Sequence, residues 1–171
     1  MNDIDTTAAI RLLEEISLHG ACRKRKVGAF LLQSSRVVLK ASNGMPKGSL
    51  QSCLNGGCIR CANGSSYDHG IGYDLCFCLH AEERIIAMAA RLGVSVGDSL
   101  LFCSYQPCIM CLKMIIEAGI KGVRYIQEWE VPETASGLVG LKEEYDAMSK
   151  VLPGSSLCIG ELNVKTHLIG A

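Results

Sequence analysis

The chain has 171 residues, and its 17 basic side chains are balanced by 17 acidic ones. That neutrality leaves no electrostatic footprint for nucleic acid or an anionic membrane surface, and 5% aromatics supply little for stacking along a single strand. No apolar run approaches the roughly 18 residues of a membrane span, and the acidic start at 1–5 has no apolar leader core, so a cytoplasmic protein is expected.

An apolar fraction of 49% over this length suits one domain with a real core. Residues 6–19 are predicted as the first helix. Asp5, Thr6 or Thr7 can cap it, Ala9, Leu12, Leu13 and Ile16 recur at helical spacing, and Gly20 is a stop signal. The basic run Arg23-Lys24-Arg25-Lys26 follows. Four such residues are either a solvated loop or a phosphate contact, for which one or two charge-assisted bonds suffice. The apolar run 27–32 and the segment 36–41 are predicted as a strand hairpin turning at 33–35. The loop 42–48 is rich in Asn and Gly. Asn43 there is either turn chemistry or an amide offered to a substrate hydroxyl.

Ten cysteines are many for this length. With an ample core and no export signal, metal binding accounts for them better than disulfides do. Between 49 and 79 the spacing Cys53-x4-Cys58-x2-Cys61, with Cys76 and Cys78 beyond, suits a structural zinc closed by four thiolates. Cys76 and Cys78 compete for one place, and His69 is a possible substitute ligand. The intervening segment 62–72, rich in Gly, Ser, Asn and Asp, buries little and needs a staple to be ordered.

Residues 80–92 are predicted as a helix with Ala81, Ile85, Ala89 and Leu92 on one face, 99–104 as a buried strand, 108–118 as a helix ended by Gly119, and 122–127 as a strand. That rhythm indicates an α/β layered sheet with parallel pairings. A helix at 138–148, a turn at Pro153-Gly154 and a last strand over 157–164 complete the expectation.

The chemistry concentrates between Cys76 and Cys111. His80, Cys108 and Cys111 can fill three corners of a zinc tetrahedron and leave the fourth to water, as a catalytic site requires. Cys111 lies one turn beyond Cys108, on the same helical face. Pro107 precedes that helix, and two positive helix starts would favour the thiolates a metal needs. Glu82, two residues after His80, would take a proton from the water and return it to the substrate. A Cys-x-x-Cys redox pair alone would leave His80 and Glu82 unexplained.

The order His-x-Glu, then Pro-Cys-x-x-Cys, is the known signature of zinc deaminases. On this and further motifs the chain resembles the zinc-dependent cytidine/deoxycytidylate deaminase superfamily, most of all deoxycytidylate (dCMP) deaminases. The likeness runs from about 21 to 127. It includes Cys22-Arg23 before Lys26-Val27-Gly28-Ala29, then Asn43-Gly44-Met45-Pro46-Lys47-Gly48, then Cys53-Leu54-Asn55-Gly56-Gly57-Cys58-Ile59-Arg60-Cys61, and the two zinc motifs. The resemblance implies a three-layer α/β/α sandwich around a five-stranded mixed sheet. It implies zinc on His80, Cys108 and Cys111, with Glu82 as proton shuttle. It also implies a homo-oligomer, dimer or hexamer. Substrate contacts are expected from Arg23 and Lys24 at the phosphate, Asn43 near the sugar, and Ala81, Arg84, Tyr105 and Gln106 around the base. Arg84 stands where the family usually has Asn, and Tyr105-Gln106 where an apolar pair is common.

The expected activity is therefore zinc-dependent hydrolytic deamination of a cytosine nucleotide, dCMP to dUMP plus ammonia. Alternatives are the same chemistry on another nucleoside, base or nucleoside-like metabolite, and a non-catalytic zinc-stabilised nucleotide-binding module. Polynucleotide and membrane partners are not expected. The chain is expected to be a single deaminase domain over 1–171, with a Cys-rich inserted loop at about 49–79 and an extension from about 131, and to carry one catalytic and one structural zinc.

Overall fold

A computed structural model describes residues 4–49, 52–62, 75–129 and 140–160. Helix α1 spans Thr6–Leu18. The Asp5 carboxylate caps it by accepting from the Ala8 amide at 2.9 Å. Strands β1 (Gly28–Gln33) and β2 (Arg36–Ser42) form the expected hairpin. It closes on Ser34 and Ser35, both in the left-handed region (φ 49° and 60°), as a two-residue hairpin turn demands. A 3₁₀ turn at Cys53–Asn55 and a single helical turn α2 at Ile59–Ala62 follow, neither of which is predicted from the sequence. Helix α3 is Ala81–Leu92, strand β3 Leu100–Tyr105, helix α4 Ile109–Glu117, strand β4 Gly122–Gln127, helix α5 Leu141–Ser149 and strand β5 Ser156–Cys158. The expected starts at 138 and the strand tail beyond 160 lie outside the described residues.

The sheet order is β2-β1-β3-β4-β5. Its β3, β4 and β5 strands are parallel, while β1 is antiparallel to both β2 and β3. Parallel pairing therefore holds for half of the sheet only. A hairpin returns its strands in opposite directions, and side-chain periodicity carries no information on direction.

Alternation along the strands sorts the core into two layers. Phe30, Leu32 and Phe102 face α1, meeting Ala9, Ile10, Leu13 and Ile16. Phe30 and Phe102 are register partners and stack at 4.7 Å. Ala29, Leu31, Leu101, Cys103 and Val123 face the other way, onto Ala81, Ile85 and Ala89 of α3 and Cys111, Leu112 and Ile115 of α4. The result is a three-layer α/β/α sandwich with a five-stranded mixed sheet. Gly28 permits the close seat of α1, because a Cβ there would stand 2.8 Å from the Ser17 amide nitrogen and 2.9 Å from the Leu13 carbonyl. Among the described residues no helix is long and apolar enough to cross a membrane.

Candidate metal and active site

The starts of α3 and α4 meet at His80, Cys108 and Cys111. His80 and Cys108 are the N-cap residues of these helices and stand just outside them, in extended conformation. Placing donors at two facing helix starts brings them to one point. His80 Nδ1 lies 3.3 Å from Cys111 Sγ and 3.5 Å from Cys108 Sγ. A sulfur and an imidazole nitrogen bound to one tetrahedral zinc stand roughly 3.5 Å apart, given Zn–S near 2.3 Å and Zn–N near 2.0 Å. The two sulfur–nitrogen distances thus match a shared metal, and all three ligand atoms lie within 4.8 Å of one another.

The electrostatics suit a cation. The hydrogen bond with Cys111 is the main reason the Cys108 thiol is held down at about 4, while that bond and then burial push Cys111 up. Burial alone would lower the His80 imidazole, but its bond with Cys108 and the Glu82 charge outweigh burial and raise it to about 9. A low thiol pKa supplies the deprotonated sulfur that metals bind. Among the described residues, this group contains three close His, Cys, Asp or Glu donors rather than four, the number of a site with a position left for water.

Glu82 is 3% exposed, and its Oε2 is one of two buried side-chain polar atoms without a hydrogen-bond partner among the described residues. Burial pushes its carboxyl up to about 7, with the His80 charge opposing. A buried unpaired carboxylate is unfavourable, and native folds rarely keep one without a use. Its neighbour Glu83 has the structural task, accepting from the His80 amide at 2.7 Å in a capping box.

The expected substrate residues divide. Asn43 is buried and its amide is engaged at both ends. Oδ1 accepts from the Val27 amide at 2.9 Å, and Nδ2 donates to the Arg25 carbonyl at 2.8 Å. Arg84 donates to the carbonyls of Gly44 and Met45, both at 2.7 Å. Gln106 accepts from the Trp129 amide at 3.1 Å through Oε1. These three shape the loops around the site. Ala81 is fully buried at the start of α3. Arg23 and Lys24 are exposed. Arg25 lies over the Tyr105 ring, 4.4 Å from its centroid, which docks the basic run beside the strand that leads to Cys108.

Tyr145 carries a supporting role that no local motif signals. Its buried hydroxyl donates to the Pro107 carbonyl at 2.6 Å, and its ring packs on Trp129 at 5.3 Å. Helix α5 thereby holds the turn that presents Cys108. Tyr145→Phe leaves that buried carbonyl unpaired. A loss of about 1–3 kcal/mol is expected, read as a fall of several degrees in thermal unfolding together with faster zinc release to a chelator.

A second group gathers six thiols. Cys53, Cys58, Cys61 and Cys78 are buried together, with Cys76 beside them, and Cys22 joins them from the end of the α1 loop. Three overlapping sets have mutual ligand-atom distances within 4.8 Å: Cys22, Cys53 and Cys61; Cys53, Cys58 and Cys78; Cys58, Cys61 and Cys76. Cys76 and Cys78 therefore both take part. Cys22 is absent from the expected ligand set because its nearest thiol partner, Cys61, is 39 residues away, and no spacing rule links them. His69 lies outside the described residues. The Arg23 amide donates to Cys53 Sγ at 3.4 Å. Burial would raise the Cys22 thiol, but the backbone amides of Arg25 and Lys24 and its thiol neighbours carry it below its usual value. Burial pushes the Cys61, Cys76 and Cys78 thiols up, so it is the close mutual spacing of the sulfurs that fits this group to a cation.

The profile of the cytidine and deoxycytidylate deaminase zinc-binding region matches residues 4–127. The chain is 37% identical over 118 residues to the deoxycytidylate deaminase of Schizosaccharomyces pombe, covering 69% of this chain and 35% of that protein. It is 38% identical over 112 residues to the deoxycytidylate deaminase of Saccharomyces cerevisiae, covering 66% and 34%. The chain thus spans about a third of the length of these two relatives. The structure of a cyanophage S-TIM5 dCMP deaminase in complex with dCMP and dUMP superposes with a TM-score of 0.64 at 25% identity, covering 89% of this chain and 94% of that one.

Proposed function

The chain belongs to the cytidine and deoxycytidylate deaminase family, and on that premise we propose that it hydrolyses the exocyclic amine of a cytosine nucleotide, converting dCMP to dUMP with release of ammonia. The observation that carries this is Glu82, a buried carboxylate with an unpartnered oxygen on the helix start that carries His80, one of three close His and Cys donors. A purely structural metal site has no use for such a carboxylate. The yeast relatives' activity and the cyanophage enzyme's bound nucleotides support the choice of dCMP.

In this proposal His80 Nδ1 and the Cys108 and Cys111 sulfurs hold zinc. Bound zinc supplies an acidified water as nucleophile at ordinary pH. Glu82 would take one proton from the attacking water and give it to the pyrimidine ring nitrogen, then take the second proton from the hydroxyl added at C4 and give it to the departing amine as the carbonyl forms. The buried surroundings of Glu82 exclude bulk water, so the proton it holds passes to the substrate. Asn43 and Arg84 keep loops 25–27 and 43–45 in place through the backbone bonds described above. That arrangement leaves Arg23 and Lys24 to meet the phosphate. Ala81, Tyr105 and Gln106 border the base. Metal on the second thiol group is structural. We read 1–171 as one deaminase domain working as a homo-oligomer, a reading supported by apolar Met110 and Met114, which α4 leaves exposed.

Ammonia release measured with dCMP, CMP, deoxycytidine and cytidine tests the proposal. dCMP is expected to exceed deoxycytidine by at least tenfold in kcat/KM, because one charge-assisted phosphate contact is worth roughly 1.5–3 kcal/mol. Equal turnover of deoxycytidine would remove the phosphate from recognition. No release from any of the four would remove the cytosine nucleotide.

A further inference from the structure

We propose that the six thiols Cys22, Cys53, Cys58, Cys61, Cys76 and Cys78 hold two zinc ions that share bridging thiolates. The proposal is independent of which base the enzyme deaminates.

Four thiolates close one structural zinc site. Six converge here, and none is remote from the others. Two thiolates on one tetrahedral zinc stand roughly 3.8 Å apart, given Zn–S near 2.3 Å. Two separate pairs have that spacing: Cys22 with Cys61 at 3.7 Å and Cys58 with Cys76 at 3.8 Å. The pairs have no member in common, so one ion on each is the simplest occupancy. Two tetrahedral ions need eight bonds, and six sulfurs supply eight when two of them bridge. Bridging sulfurs must neighbour donors of both ions. Cys53, Cys58 and Cys61 meet that condition, since each belongs to two of the three close sets, while Cys22, Cys76 and Cys78 each belong to one. The three shared thiols are also deeply buried, at 0%, 0% and 4% exposure, as the middle of a cluster should be.

The surroundings supply countercharge. Two zinc ions with six thiolates carry a net charge of −2. Arg60, 6% exposed, lies between Cys58 and Cys61 in the chain, and the run 23–26 begins directly after Cys22. Among the described residues, the buried apolar cluster here consists of cysteines, with Met45 and Cys76 packed against it. Packing without metal would rest on thiols alone.

The test uses the full chain. Zinc measured by mass spectrometry against amino-acid analysis is expected at three per chain, one at His80, Cys108 and Cys111 and two here. The double variant Cys108→Ser/Cys111→Ser is expected to retain two. Replacement by cadmium-113 in the unmodified protein is expected to give two thiolate-rich resonances coupled to each other through a shared sulfur, a signature that depends on neither the variant nor activity. A single such resonance, or two without mutual coupling, overturns the proposal. So does alkylation of two of the six thiols in the native protein, or iron in place of zinc. A missing third zinc with the coupled pair intact would instead count against the reaction centre.

Discussion

Glu82→Gln is expected to lower kcat by about 10²–10⁴-fold while zinc content stays at the wild-type level. The exchange keeps the shape of the side chain and removes its ability to accept and return a proton. Zinc should be retained because the proposed donors are His80, Cys108 and Cys111, and Glu83 rather than Glu82 bonds the His80 amide. Stability should move little, by about 1 kcal/mol or less. The carboxylate is buried with Oε2 unpaired, so its charge already opposes folding, and a neutral amide relieves that while leaving its own donors unmet. The combination separates the proton shuttle from a packing residue. A buried structural glutamate would lose stability and activity together. Steady-state ammonia release, zinc analysis and thermal unfolding on one preparation decide it. A zinc-loaded variant that kept more than a tenth of the wild-type kcat would sink the assignment of Glu82.

The same residues explain how much of this was legible beforehand. His80, Cys108 and Cys111 announce themselves because two of them sit one helical turn apart and the third precedes a helix with a good apolar face. Both rules are local. The boundaries of β4 at Gly122–Gln127 were legible for a similar reason, with Gly119 stopping the helix before it and Val123, Tyr125 and Ile126 favouring a strand. What depends on distant partners was not legible. Cys22 has no neighbour in sequence that marks it as a ligand. Asn43 could equally have turned its amide to a ligand, and only the fold shows the Val27 amide and Arg25 carbonyl that engage it. Tyr145 is one more apolar position on α5 until its hydroxyl is seen under Pro107. The inversion of β1 in the sheet belongs to the same class, since direction is a property of pairing and not of the strand.

Cys53→Ala is expected to cost about 3 kcal/mol or more, lowering thermal unfolding by roughly 10 °C, and to reduce kcat/KM at least tenfold although no atom of the reaction centre is changed. The stability part rests on the proposal that metal on these thiols holds this region. A structural zinc site in a small peptide is worth about 10–16 kcal/mol, comparable to the whole stability of a typical domain. Cys53 belongs to two of the three close thiol sets, so its removal disturbs more than one coordination position. The activity part follows from the connections. Cys78 is followed by Leu79 and His80, and Leu79 pairs with Gly44 through reciprocal backbone bonds of 2.9 and 3.1 Å. On the other side, Cys53 Sγ accepts from the Arg23 amide at the head of the basic run. The thiol group thus fixes both His80 and the 23–26 loop from behind. Hydrogen exchange should rise in 20–27 and 75–80 in the variant, while β3 and β4, buried in the two core layers, keep their protection. Unchanged exchange in both segments, with unfolding within about 2 °C of wild type, would show that the group only packs beside the site and does not position it.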